Sequence, residues 1–186
     1  MAVTITATAG SASANSYITL SDANFIVDGF VEDDDVTAWG SATDDQKNRA
    51  LYTAAQRIDR ERFLGARADD EQAMQWPRTG VRKPDTYVNT YATGFPFRIS
   101  EDYFTDSEIP EQIRKAQVVL AVYLHNNKDG IGLSGLEDYK HLQIGSIVVT
   151  PAKTGSIGAD RVPPLFEQYL TGLRISGPGN IAIKRS

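Results

Sequence analysis

Hydrophobic and polar positions divide the chain into an alternating arm, a series of helical stretches and a mixed C-terminal third. Residues 2–18 alternate weakly, with Val3 and Ile5 followed by small residues and then Tyr17 and Ile18, which predicts an extended arm made flexible by Gly10 and the Ser/Ala run. Leu20-Ser21-Asp22-Ala23 reads as a helix start with Ser21 as N-cap. Phe25, Ile26 and Phe30 form its expected buried side, and it should end near Gly29. Glu32-Asp33-Asp34-Asp35 then interrupts the pattern. These acids are consecutive, without the alternating ligand positions, turn glycine and distal Glu of a cation loop, and they read as solvated loop. Thr43-x-x-Gln46 fits a capping box, and Leu51, Ala55 and Ile58 recur at helical spacing, so a helix is predicted from Asp44 to Phe63. Lys47, Arg49, Arg57, Arg60 and Arg62 on its other face are interleaved with Asp44, Asp45, Asp59 and Glu61, the pattern of a solvated or intersubunit face. Asp69 to Met74 reads as one or two helical turns capped by acids and stopped by Pro77.

Residues 81–108 contain Pro84, Gly94, Pro96 and the aromatics Tyr87, Tyr91, Phe95, Phe97, Tyr103 and Phe104, which predicts a long ordered loop. Pro110 opens a helix that is apolar nearly all round, through Ile113 and Val118 to Leu124, and should therefore be central to a bundle. His125 at its end has a capping or dipole role. Gly130, Gly132 and Gly135 neither follow a strand nor open a helix, so a phosphate loop is dismissed. Leu142 to Val149 around Gly145-Ser146 predicts two short strands or one bent one, ended by Pro151. Pro163-Pro164 launches a last helix with Leu165, Phe166, Tyr169, Leu170 and Leu173 on one face. After Gly177-Pro178-Gly179 comes an alternating tail, Ile181 to Arg185, too short to be stable alone and suited to lying on its own domain or adding to another chain.

Composition narrows the function. A chain of 186 residues can hold a core without disulfides or metal, and a net charge of −5 argues against a general nucleic-acid binder. There are no cysteines and only two histidines, which removes thiolate zinc sites and cysteine nucleophiles and makes His-based metal sites poor candidates. No run approaches a membrane span, and Met1-Ala-Val-Thr-Ile-Thr lacks a signal peptide's basic start and apolar core, so the expected setting is a cytoplasm, with no membrane partner. No carboxylate pair stands at helical spacing in an apolar setting, and Gly132-Leu-Ser134-Gly135 lacks the spacing of a nucleophile elbow, so no enzymatic activity, catalytic residue or cofactor is expected.

The turn Trp76-Pro77-Arg78-Thr79-Gly80-Val81 has a direct physical reading: Pro77 blocks helix continuation, Gly80 permits a positive φ, and Trp76 anchors a corner in the core. Trp76, Arg78, Arg82, Lys83 and Tyr87 together could also stack single-stranded bases, but the acidic balance favours the corner, with Arg78 pairing with a nearby carboxylate or a neighbouring subunit. In order, Asn15-Ser16-Tyr17-Ile18-Thr19-Leu20-Ser21-Asp22-Ala23, then Trp39 before Thr43-Asp44-Asp45-Gln46-Lys47, Ala50-Leu51, Ile58-Asp59, the Gln72 to Val81 stretch and Ile109-Pro110 resemble a tailed-bacteriophage family, the head-tail connector or neck adaptor proteins. Some members carry a label as single-stranded-DNA-binding proteins of a primosome type, which supplies the alternative function.

The resemblance covers about residues 10–125 and implies a mainly α protein, a small helical bundle with a minor β element and extended N- and C-terminal arms. Residues 1–186 would form one adaptor domain: arm 1–16, helical core 17–128 with the 81–108 loop, β element and last helix 129–176, and tail 177–186. Tyr17, Trp39, Trp76, Pro77, Arg78, Gly80 and Pro110 are the motif's structural residues. The implied function is a structural virion protein of the neck, assembled in the host cytoplasm as a homo-oligomeric ring, commonly a dodecamer. It would join the portal to a stopper, tail-completion or tail-tube protein. Double-stranded DNA would pass through the lumen without sequence-specific binding, and an acidic balance suits such a conduit. Two expectations follow: Ile181, Ile183, Lys184 and Arg185 dock on the portal, and Tyr87, Tyr91, Phe95 and Phe97 contact a neighbouring subunit.

Overall fold

The computed structural model describes residues 2–83, 102–127, 142–144, 147–149 and 162–175. It is mainly helical, with helices α1 (Leu20–Asp28), α2 (Asp34–Ser41), α3 (Asp44–Ile58), α4 (Glu111–Asn127) and α5 (Pro164–Leu170). Two antiparallel ribbons accompany them, β1 (Ala66–Arg67) with β2 (Arg78–Thr79), and β3 (Leu142–Ile144) with β4 (Ile147–Val149). The latter pairs Leu142 with Val149 and Ile144 with Ile147, so the apolar run is two strands.

As its pattern predicts, α4 is the central helix, and α1, α2, α3 and α5 all pack against it. Ile113, Ala116, Val118, Val119, Leu120, Ala121, Val122 and Leu124 are all buried, and removing such side chains from water contributes about 1.5–3 kcal/mol for each large one. Ile58, Leu51, Ala54 and Ala55 meet them from α3, and Phe166 and Leu170 from α5. The capping box of α3 is formed: Thr43 Oγ1 accepts from Gln46 N, and Gln46 Oε1 accepts from Thr43 N.

Several local expectations are corrected. The N-cap of α1 is Thr19, whose Oγ1 accepts from Asp22 N, and Ser21 lies inside the helix. Ala23 and Val27 form the buried face of α1, with Ile26 and Phe30 half-buried against the core as expected, while Phe25 is 80% exposed. Asp33 is no loop acid: its carboxylate accepts from Val36 N and caps α2, with Asp34 and Asp35 in the first turn, where the helix dipole favours them. Helix α3 stops at Ile58 rather than Phe63. No helix forms at 69–74; Asp69 Oδ1 accepts from Glu71 N, and buried Gln72 donates to the carbonyls of Met74 and Pro77. Side-chain bonds here replace the helical ladder. Leu165 is 39% exposed, outside the buried face of α5.

The N-terminal arm is not free. Val3 N donates to Asp45, Asn48 donates to the Val3 carbonyl, and Asn15 closes the arm on itself by accepting from Thr6 N and donating to Thr4 O. Ala73 N then bonds Ser11 O. These satisfied backbone groups fold the arm onto its own domain, a correction to the flexible segment expected there. At the other end, Leu64 N bonds Leu173 O and Ile175 N bonds Arg62 O, so residues 173–175 lie along 62–64.

Candidate functional site

The polar groups with the most constrained geometry gather around the turn at Trp76. The Trp76–Pro77 peptide is cis, and Trp76, 1% exposed, meets Phe63 and Phe104 edge-on with ring centroids 5.7 and 5.8 Å away. Its Nε1 is buried without a hydrogen-bond partner, so the ring contributes packing. Gly80 has φ +73, as its place in the turn predicts. Gly65 (φ +69) lies so close to the second strand of the ribbon that an added Cβ would stand 2.2 Å from Thr79 O.

Arg78 is buried and spends its fork on backbone. Nε donates to Leu64 O (2.7 Å), Nη2 to Gly65 O (2.7 Å) and Phe63 O (3.4 Å), and Nη1 to the carbonyl and side-chain oxygen of Gln75. Burial lowers its pKa from the ordinary value, and the planar guanidinium still matches several carbonyls at once. The expected partner, a carboxylate or another subunit, is therefore corrected to carbonyl oxygens of residues 63–65 and to Gln75. These are the carbonyls left where the chain leaves α3 and turns into β1.

A second cluster fastens the arm. Gln117, fully buried on α4, accepts from Tyr17 N (2.9 Å) and donates to Ser16 Oγ (2.7 Å) and Leu51 O (2.9 Å). The Tyr17 hydroxyl donates to Asp59, whose Oδ1 also accepts from Gln75 N at 3.2 Å. Burial is the largest cause that raises the Tyr17 phenol well above its ordinary range, and the Asp59 charge adds to it. Burial also raises Asp59, outweighing the donors Tyr17 and Gln75. Tyr17 is thus the hinge pin between the arm, α4 and the Trp76 turn.

A cleft of about 750 Å³ opens between α1, α2 and the first turn of α3. Its wall includes Trp39, whose Nε1 donates to Asn24 Oδ1 at 3.0 Å, and its floor includes Lys47, with Nζ 5.7 Å from the Trp39 ring centroid. Lys47 is buried, a correction to its expected place on a solvated face, whereas Arg49 does pair with Asp45 at 2.9 Å on the surface. His125 meets the Trp39 ring edge-on at 6.1 Å. Among the described residues no group of three or more His, Asp and Glu could hold a metal ion, and no helix is long and apolar enough to cross a membrane.

Of the sequence-predicted residues, Tyr17, Trp39, Trp76, Pro77, Arg78 and Pro110 are buried, and Gly80 sits at the turn. Tyr17, Trp76 and Arg78 come together around Gln75 and Asp59, while Trp39 belongs to the separate cleft. Tyr87, Tyr91, Phe95, Phe97, Ile181, Ile183, Lys184 and Arg185 lie outside the described residues. Gln117, Ser16 and Asp59 carry contacts that the sequence reading did not assign. Gln117 had a signal, as a single amide flanked by Ala116 and Val118 in an apolar run.

Fold and site together define a mainly helical protein whose arm and turn are pinned to a central helix by buried polar side chains. The chain belongs to the family described as "Putative DnaT-like ssDNA binding protein", whose model matches residues 1–186. No curated protein and no solved structure matches the chain.

Proposed function

We propose that this chain is a structural subunit of a tailed-phage neck, forming a ring that joins the capsid portal to a stopper or tail protein and continues the DNA channel. It is a virion component rather than an enzyme in this reading. The motif order from Asn15 to Pro110 resembles that of the neck adaptors. One observation carries the choice over strand binding: of the residues that would make a base-stacking platform, Trp76 and Arg78 are used internally and Lys83 pairs with Glu108. Trp76 is 1% exposed, and every nitrogen of the Arg78 guanidinium donates to the chain's own oxygens. Stacking platforms for single strands need an accessible aromatic face beside free cations, and the chain's charge of −5 opposes phosphate.

The family's description favours a second reading, single-stranded-DNA binding. A paired experiment separates the two. Purified protein is mixed with portal-bearing, tail-less capsids and, separately, with labelled single-stranded DNA at low and moderate salt. The neck reading expects sedimentation with the particles, rings in negative stain, and no saturable DNA binding. Saturable binding whose logarithm falls with log salt at about −0.7 per phosphate contacted, with no attachment to capsids, would establish the second reading and remove the first.

A further inference from the structure

The cleft between α1, α2 and the start of α3 carries features that packing within the chain leaves unused. Phe25 and Val31 are 80% and 88% exposed, the highest values among the large apolar side chains described. Phe25 lies one turn before Asp28 on α1, and Val31 stands between Phe30 and Glu32; all three of those neighbours line the cleft. Phe25 and Val31 flank this concave wall with apolar surface that a partner can bury. The rim is acidic, through exposed Asp28 and Glu32.

The sequence of this same chain contains the complement. Ile181-Ala182-Ile183-Lys184-Arg185 offers two β-branched apolar side chains on alternate positions, followed by two cations. We propose that the cleft and its rim receive residues 181–185 of a second copy of this chain, with Ile181 and Ile183 against Phe25 and Val31 beside the cleft and Lys184 and Arg185 against Asp28 and Glu32 in its wall. This assigns the tail a partner within an assembly of copies rather than on the portal.

Reach favours a second copy over the chain's own tail. Ile175 is bonded to Arg62, beyond the last turn of α3, whereas Lys47 on the cleft floor lies in its first turn. Lys47 to Ile58 alone spans about 17 Å of helix. The six residues from Ile175 to Ile181 span at most about 20 Å when fully drawn out, and Gly177-Pro178-Gly179 favours turning over full extension. A neighbour's tail has no such limit.

The proposal shares with the neck reading only the meeting of copies, and its test reads the cleft directly. A fluorescent peptide of residues 177–186 is titrated against the full-length Ile181→Asp/Ile183→Asp chain, whose own tail can no longer compete. Saturable binding is expected, at least tenfold weaker once Phe25→Asp and Val31→Asp are added. On the unaltered cleft, a Lys184→Glu/Arg185→Glu peptide should also bind at least tenfold more weakly, an arm that requires no change to the receptor. Absence of saturable binding, or equal affinity across both comparisons, overturns the proposal. Capsid attachment without peptide binding overturns the cleft assignment and leaves the neck reading standing. Peptide binding without capsid attachment supports the cleft and removes the neck reading.

Discussion

Replacing Gln117 by Met preserves length and approximate volume while deleting both polar ends of a fully buried side chain. The Tyr17 amide loses its 2.9 Å acceptor and becomes a buried unpaired donor, which costs about 1–3 kcal/mol. Ser16 Oγ and Leu51 O each lose a donor worth about 0.5–1.5 kcal/mol. Part of this loss is returned, because a thioether has no amide to desolvate, leaving a net destabilisation of about 2–3 kcal/mol. For a chain of this size that lowers Tm by about 4–12 °C. Urea unfolding followed by Trp fluorescence gives the free energy, and amide hydrogen exchange reports the arm. Exchange at residues 3–18 should accelerate more than exchange in the centre of α4, because Gln117 ties the arm to that helix. A stability change below about 0.5 kcal/mol, or an arm whose exchange does not respond, would show that Gln117 is not the fastening described above.

Arg78→Lys keeps the charge but not the fork, and three donors on one ammonium cannot reach the carbonyls of residues 63–65 together with both oxygens of Gln75. A loss of about 2–4 kcal/mol is expected in denaturant unfolding; a loss under about 1 kcal/mol would mean the carbonyls find other partners. Gly65→Ala and Gly80→Ala form a matched pair, since both residues have φ near +70 but only the first would press a Cβ against Thr79 O. The second should cost about 1–2 kcal/mol from the left-handed backbone alone, the first clearly more, and equal Tm shifts would contradict the close approach. The pKa of Asp59 is raised, so the stability this group contributes is complete below the ordinary carboxylate range and is lost as pH rises through the raised folded value. Asp59→Asn retains the acceptor for Tyr17 and Gln75 and removes that slope. The wild-type Tm minus the variant Tm should therefore fall as pH rises through this window, and a flat or rising difference refutes the assignment.

What the sequence made legible follows from how local each signal is. The capping box at Thr43 and Gln46 and the apolar run after Pro110 are complete within one helix, and both are found where the spacing puts them. The end of α3 was not legible, because its continuation to Phe63 was a matter of residue type. What ends it is a distant demand: the carbonyls of 63–65 are needed by Arg78, and the amide of Leu64 by Leu173. The same holds at residues 69–74, where helix-compatible residues yield to Gln72 bonding across to Pro77. The Asp33 cap was hidden by its acidic neighbours, which look like a solvated run until Val36 and Trp39 are recognised as a helix face. At the Trp76 corner, burial and the positive φ of Gly80 could be read from residue types, but the choice of carbonyls over a carboxylate depended on a neighbouring segment. The motif from Asn15 to Thr19 is explained only in three dimensions, where its members close the arm, reach Gln117 and Asp59, and cap α1.

The fastening of the arm at Val3 and of the last described residues at Arg62 gives the molecule a direction. Val3 is held by Asp45 and Asn48 at one end of α3, and Ile175 is held beyond its other end. Asp45 and Ile58 alone are about 20 Å apart along this helix. A two-fold pair meets through one patch used twice, whereas a head-to-tail ring meets through two different patches of each copy. Donor and acceptor dyes at residues 3 and 175 on separate copies measure how near the entry pole of one copy lies to the exit pole of another, before any ring is imaged.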